Sequence, residues 1–328
     1  DTRGQSCQER FDVKLKILLI DPYLENKGLT TSPLSSGMIG SYLLSRMPDV
    51  SVKVLKSASS IVSYIKKEKP DVLGVTNFLW NTNLAIRISH LAREVNPDTL
   101  IVFGGPEVNR TPLDKDQFVR KYAHVDILVE HEGEIAFFQI IENFLRLNGD
   151  RRKIREAIDE LGNSFYIDEK GEYVTGPSLP RIQELDIIPS PYMLGLMDEF
   201  LADRNYQPLI QTNRGCPYSC TFCVEGSEYF SKIRFFDPDR IMRELDYIAD
   251  HIGPDVGLHI ADSNWGMYPP DVAIATHMRH LQDTRNWPRE ITVSTGKSQP
   301  ERIRKVAEIV NGAILISNSV QSMNEEVL

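Results

Sequence analysis

Short apolar runs of strand length recur along this chain, separated by helix-length stretches, and that alternation restricts the fold more than any other feature. The run LKILLID (15–21) is apolar almost throughout and ends in a turn, as a strand buried on both faces requires. A helix-like stretch follows at 37–46, then strands at 50–55, 72–76, 100–103 and 127–129. Helices at 58–68 and 83–95 separate them, and one at 134–145 closes the series. Leu84, Ile88, Leu91 and Val95 share one face of the 83–95 helix. This order predicts an α/β fold with a doubly wound parallel sheet, whose ligands bind at the carboxyl ends of the strands. A second series has strands at 209–212, 257–261, 290–294 and 313–316, with helices at 237–251, 270–284 and 301–310. Its repeats predict a partial TIM-type (β/α) barrel with its chemistry at the same strand ends. Between the two, 146–208 reads as a packed linker. It has a hairpin at 166–174, breaks at Pro177, Pro180, Pro189 and Pro191, and apolar Leu185, Ile187, Ile188 and Tyr192 unsuited to free solvent. The expected organisation is therefore a tail at 1–13, a first domain at 14–145, the linker, and a second domain at 209–328.

At 328 residues the chain exceeds the ~100–200 typical of one domain. An apolar content of 41% and a charged content of 25% suit a globular protein with a core. The net charge of −9 argues against a broad nucleic-acid surface and favours a small-molecule substrate. The basic pairs and triplets, Lys66-Lys67 and Arg151-Arg152-Lys153, are expected on solvated helix faces. No apolar run approaches the ~20 residues of a membrane span. With few cysteines and no charged-then-apolar leader, a reducing, cytoplasmic setting is expected.

Cys216, Cys220 and Cys223 stand within RGCPYSCTFC (214–223) and are three of the four cysteines in the chain. Thiolates gathered this closely beside a glycine and a proline point to iron rather than to scattered core positions. A four-iron cluster ordinarily takes one cysteine per iron. The loop supplies three, and Cys7 lies in a polar terminal segment more than 200 residues away, which leaves one iron open to a substrate or cofactor. Two other readings stay open on the residues alone: zinc with a fourth ligand from the seven histidines, His251 being nearest, and a disulfide beside a spare thiol.

The CxxxCxxC spacing, with the aromatic Phe222 before the last cysteine, resembles the radical S-adenosylmethionine superfamily. The resemblance implies a 4Fe-4S cluster on Cys216, Cys220 and Cys223, chelation of the open iron by S-adenosylmethionine, and cleavage of the sulfonium to a 5′-deoxyadenosyl radical. It also implies an external electron donor such as flavodoxin or ferredoxin, and a barrel of six units. Four barrel strands precede Leu328, so the barrel is expected to be incomplete there, with an edge open to aggregation or an ordered partner. Upstream, SSGMIGSYL (35–43), VFGGPEVN (102–109) and VDILVEHEGE (125–134) together resemble the cobalamin-binding domain that precedes many such barrels, over about 14–145. The Asp-x-His-x-x-Gly motif of that family is absent. DPYLENKG (21–28) has no histidine and none occurs before His90, which resembles the methyltransferase branch, where cobalamin binds without a histidine from that loop. IPSPYMLGLMDEF (188–200) looks like the segment leading into the cluster loop in the same family.

Gly104 and Gly105 end a strand, where a missing β-carbon allows either a tight turn or close approach of backbone to a flat ligand. Asp262, Ser263 and Asn264 follow the second barrel strand. By position they resemble the element that receives the amino group of S-adenosylmethionine, although helix capping would use the same residue types. Ser294, Thr295 and Lys297 follow the third strand, and Ser317, Asn318, Ser319 and Gln321 the fourth. Short polar side chains there suit a ribose and a carboxylate. Arg234 is a candidate for the cofactor carboxylate or for Glu244. The leading expectation is a cobalamin-dependent radical enzyme that methylates an unactivated carbon. The competitors are oxidative cyclisation with cobalamin in another role or absent, and a non-catalytic iron–sulfur protein.

Overall fold

The computed structural model describes residues 14–24, 30–108 and 111–314, and its contacts divide them into two units. The first takes in 14–24, 33–182 and 188–196. The second takes in 30–32, 183–187 and 197–314.

The first unit is built on a seven-stranded sheet. Its elements in chain order are β1 (Lys16–Tyr23), α1 (Leu34–Arg46), β2 (Ser51–Ser57), α2 (Ala58–Glu68), β3 (Val72–Thr76), α3 (Thr82–Val95), β4 (Leu100–Gly104), α4 (Lys115–Tyr122), β5 (Ile127–Val129), α5 (Glu134–Arg146), β6 (Ser164–Ile167) and β7 (Tyr173–Thr175). The strand order is β2-β1-β3-β4-β5-β6-β7, with parallel pairing from β2 to β5 and antiparallel pairing where the β6–β7 hairpin joins. Ile17 pairs with Val52 on one side and Val72 on the other, so chain order reverses between β1 and β3, the place where such sheets open a ligand crevice. α1 packs with α5 and α2 with α3, as a doubly wound sheet requires. Ile17, Leu18, Ile20, Leu73 and Ile101 are fully buried, which explains their continuous apolar runs.

Local chemistry sets several ends. Ser57 caps α2 by accepting from Ser60 N, and Asp114 caps α4 by accepting from Gln117 N at 2.9 Å. The stretch read as a linker is divided between the units. Its hairpin extends the first sheet, Tyr192 is buried in the first unit, and the remainder from Met197 belongs to the second. Of the basic triplet, Arg152 and Lys153 are exposed as expected. Arg151 instead turns inward to Asp126 at 3.2 Å, because a buried carboxylate there outweighs its hydration.

The second unit repeats strand and helix: β8 (Leu209–Ile210), α6 (Pro238–His251), β11 (Leu258–Ile260), α7 (Pro269–Arg285), β12 (Ile291–Thr292) and α8 (Pro300–Ile309), with a small ribbon of β9 (Asn213–Arg214) and β10 (Arg234–Phe235) after β8. β8, β11 and β12 are parallel neighbours in that order, and Ile314 continues the row through a parallel bridge to Ile291. α6 packs on α7 and α7 on α8. Trp287 is fully buried beneath them and donates Nε1–H to Val256 O at 2.8 Å. Among the described residues, no helix is long and apolar enough to cross a membrane.

Candidate active site

β8 and β11 end side by side, and Asp262 locks their ends together. The residue is 2% exposed. It accepts from Thr212 N at 2.8 Å, Asn213 N at 3.3 Å and Asn213 Nδ2 at 2.8 Å, and from the Thr212 hydroxyl. Burial pushes the Asp262 carboxyl up to about 7, and the Thr212 bonds pull against that rise. The carboxylate expected to receive an amino group accepts these bonds from its own chain, and they fix the strand end that launches the cysteine loop.

That loop is pinched at its base by the antiparallel β9–β10 ribbon, with Asn213 opposite Phe235 and Arg214 opposite Arg234. Gly215 opens it at φ 110°, a backbone conformation that favours glycine. Cys216 N donates to Phe230 O at 2.9 Å, Cys223 N to Cys220 O at 3.1 Å, and Gly226 N to Cys223 O at 3.0 Å. Gly226 is needed for a steric reason, because a β-carbon there would lie 2.1 Å from Cys220 O. The three cysteines are free thiols. Cys216 and Cys220 are half-buried and Cys223 is exposed. Among the described residues no three His, Cys, Asp or Glu side chains converge on a single metal ion. A four-iron cluster makes no such demand, since each thiolate binds its own iron.

Two donors from other loops reach these sulfurs. Asn264 Nδ2 lies 3.3 Å from Cys216 Sγ, and Lys297 Nζ lies 3.5 Å from Cys220 Sγ and 5.6 Å from the centre of the Tyr218 ring. The Tyr218 hydroxyl donates to Ser298 Oγ at 2.9 Å, and Ser298 Oγ in turn lies 3.1 Å from Met267 Sδ. The Arg302 guanidinium holds Met267 O. A parallel bridge between Trp265 and Thr295, with Trp265 N donating to Ser294 O at 2.9 Å, ties the β11 and β12 loops to each other.

The structure therefore brings Cys216, Cys220, Asn264 and Lys297 together, with Asp262 beneath them. Ser263 is half-buried, the side chain of Ser294 is exposed, and Phe222 is 71% exposed. Arg234 reaches Gln183 and keeps a buried Nε without a partner, while Glu244 takes Arg240 at 3.2 Å, so the two do not pair with each other. Ser317, Asn318, Ser319, Gln321 and Cys7 lie outside the described residues. Met267 and Ser298 had no sequence signal beyond their nearness to strand ends, Arg302 stands at the start of α8, and Tyr218 lies unremarked inside the cysteine run.

The first unit has its own polar floor at the carboxyl ends of β1 and β3. Asp21 pairs with the buried Lys56 ammonium and accepts from Asn81 Nδ2 at 3.1 Å. Asn81 also donates to Thr76 O at 3.1 Å and accepts from Phe78 N at 2.8 Å, and Ser36 and Thr76 share a hydrogen bond of 3.0 Å. Beyond this floor the Phe78 and Trp80 rings stack at 4.5 Å, with Leu79 76% and Trp80 78% exposed. The close neighbour of Gly105, at φ 103°, is the Asn77 backbone, whose oxygen a β-carbon would meet at 2.7 Å. Gly104 has ordinary space, its nearest neighbour being 3.7 Å away. The flat apolar face at this edge comes from TNFLW (76–80), which the sequence reading passed over.

These two sites coincide with two family matches. Residues 23–141 match the B12 binding domain and residues 210–328 match the Radical SAM superfamily. The chain thus belongs to the radical SAM proteins that carry a B12 binding domain. More particularly, it is 32% identical over 260 residues to the cobalamin-dependent radical SAM methyltransferase TokK of Streptomyces tokunonensis, covering 78% of this chain and 36% of that protein. It is also 32% identical over 259 residues to the 2-(S-pantetheinyl)-carbapenam-3-carboxylate methyltransferase of Streptantibioticus cattleyicolor, covering 77% of this chain and 36% of the relative. The chain spans about a third of the length of these relatives. Its fold is that of the cobalamin-dependent S-adenosylmethionine radical enzyme OxsB, solved with aqua-cobalamin and S-adenosylmethionine, at a TM-score of 0.62 and 19% identity over 93% of this chain and 43% of that one. The methyltransferase TsrM from Kitasatospora setae, solved with cobalamin and a [4Fe-4S] cluster, gives a TM-score of 0.57 at 13% identity, covering 92% and 66%.

Proposed function

We propose that this chain is the cofactor-bearing part of a cobalamin-dependent radical S-adenosylmethionine methyltransferase that acts on an unactivated carbon of a small molecule. The observation that carries the reading is the loop of three free thiols at the carboxyl edge of a parallel sheet, with Asn264 and Lys297 donating to two of its sulfurs. Cys216, Cys220 and Cys223 would hold the cluster, which supplies reductive cleavage of S-adenosylmethionine when bound. Asp262 keeps the loop's entry in place, Gly226 lets its far turn close over Cys220, and Ser263, Ser294 and Phe222 stand near enough in sequence to the loop ends to serve the nucleoside. In the first unit, the exposed Leu79 and Trp80 suit the flat face of a corrin, and the Asp21–Lys56–Asn81 network holds the strand end beneath them. The likeness to TokK supports methylation over cyclisation. An external flavodoxin or ferredoxin would deliver the electron, in a cytoplasm where free thiols persist.

Anaerobic reconstitution tests this directly. The chain is expected to take up iron, to show corrinoid absorption bands after incubation with hydroxocobalamin, and to cleave S-adenosylmethionine under dithionite. Alanine at Cys216, Cys220 or Cys223 should abolish cleavage. Normal cleavage by all three variants would end the assignment, and deoxyadenosine without methyl transfer from labelled S-adenosylmethionine would redirect it to other radical chemistry.

A further inference from the structure

At the opposite, amino-terminal edge of the first sheet lies a cavity of about 400 Å³ lined by His90, Arg93, His124, Asp126, Arg151, Arg152 and Arg155. We propose that it binds a small phosphorylated anion carrying two or more negative charges. The site is distinct from the strand ends considered above. Ile101 is near the start of β4 and Asp126 precedes β5, whereas the crevice of Asp21 and Thr76 is at the far end of the strands.

Charge makes the first part of the case. Four guanidinium groups converge in a chain whose net charge is −9. Within the cavity they face one carboxylate, Asp126, and that carboxylate is already engaged by Arg93 at 2.6 Å, Arg151 at 3.2 Å and Ile101 N at 2.8 Å. Asp98, outside the lining, stands 3.9 Å from Arg152 and is 75% exposed, too solvated to neutralise it. The excess is positive and partly desolvated. Burial pulls Arg93 below its ordinary value, and the buried Arg93 Nε has no partner. A protein interior bears that cost most readily when an anion completes the site.

Geometry makes the second part. Arg151 Nε donates to Pro97 O at 2.7 Å, and Arg155 donates to Asp126 O at 3.2 Å and to Val125 O at 3.0 Å, so both guanidinium planes are held in place. Anchored forks lose little entropy on meeting a phosphate. His90 and His124 stack at 4.1 Å along one wall, a surface on which a planar base can lie. Arg152, 72% exposed, is a solvent-facing arm at the rim.

The experiment titrates the whole chain with inorganic pyrophosphate by calorimetry at constant ionic strength, with ADP as a second probe. Submillimolar binding is expected, weakened roughly ten-fold for both probes by Arg152→Glu and for ADP by His90→Ala, both exposed changes that leave the Asp126 network intact. Lys66→Glu together with Lys67→Glu on α2 should change nothing. Equal affinities for the two probes assign the site to phosphate alone, and tighter ADP binding adds the imidazole wall. Absence of binding, or binding indifferent to Arg152→Glu and His90→Ala, overturns the proposal.

Discussion

Replacing Lys297 by methionine keeps the length of the side chain and removes its charge, which isolates what an ammonium 3.5 Å from Cys220 Sγ does to a cluster bound there. Reduction adds one negative charge, so a nearby cation favours the reduced state and raises the potential. Lys297 is exposed, so water-like screening applies, and a unit charge at 3.5 Å is then worth about 1 kcal/mol. For a one-electron couple, where 59 mV corresponds to about 1.4 kcal/mol, this is about 50 mV. The added electron spreads over the cluster beyond Sγ, so ~20–50 mV is the working range. Lys297→Met should therefore lower the midpoint potential by that amount in a redox titration followed by electron paramagnetic resonance, and Lys297→Arg should restore most of it. High salt should shrink the difference. A midpoint within ~10 mV of the parent at equal iron content would refute the role given to this ammonium.

Other consequences are as concrete. Gly226→Ala drives a β-carbon to 2.1 Å from Cys220 O, so iron retention after reconstitution and desalting should fall sharply while the helical circular dichroism stays near that of the parent. Asp262→Ala strands donors from Thr212 and Asn213 and is expected to lower the urea stability of the second unit by about 2–4 kcal/mol, read from tryptophan fluorescence of the buried Trp265 and Trp287. His124 is held near 4, below its unfolded value of about 6.5, first by burial and then by His90 and Arg93. The unfolded chain therefore binds the extra proton first, and stability present above about 6.5 is lost as pH falls toward about 4. Discounted for partial solvation, this amounts to ~1–2 kcal/mol, and His124→Asn should flatten that part of the urea-midpoint profile.

Most of the first sheet was legible because its strands are buried on both faces and their apolar runs need no partner information. β3, β5 and α2 fall on the expected residues, 72–76, 127–129 and 58–68. α4 escaped notice because only Phe118 and Tyr122 of its eight residues are buried, one turn apart in a charged segment. In the second unit the expected strand at 290–294 pairs regularly only over Ile291–Thr292. Beyond them contact continues through the single bridge at Thr295, where the chain leaves the ladder to approach the cysteine loop.

The site divides in a similar way. Three cysteines within eight residues carry their message locally, but the donors that complete them stand 48 and 77 residues away and meet them only through packing of the β11 and β12 loops. Asp262 and Arg151 make the same point from the opposite direction. A carboxylate at a strand end reads as ligand-facing and a basic triplet reads as solvated, because side-chain type is local. Burial adds what type alone lacks: Asp262 accepts from Thr212 and Asn213, and Arg151 pairs with Asp126. Once inside, a charge must find a partner or leave a cost that a ligand can relieve. By that reasoning the satisfied Asp262 argues for structural support, and the surplus guanidinium charge around Asp126 argues for a ligand.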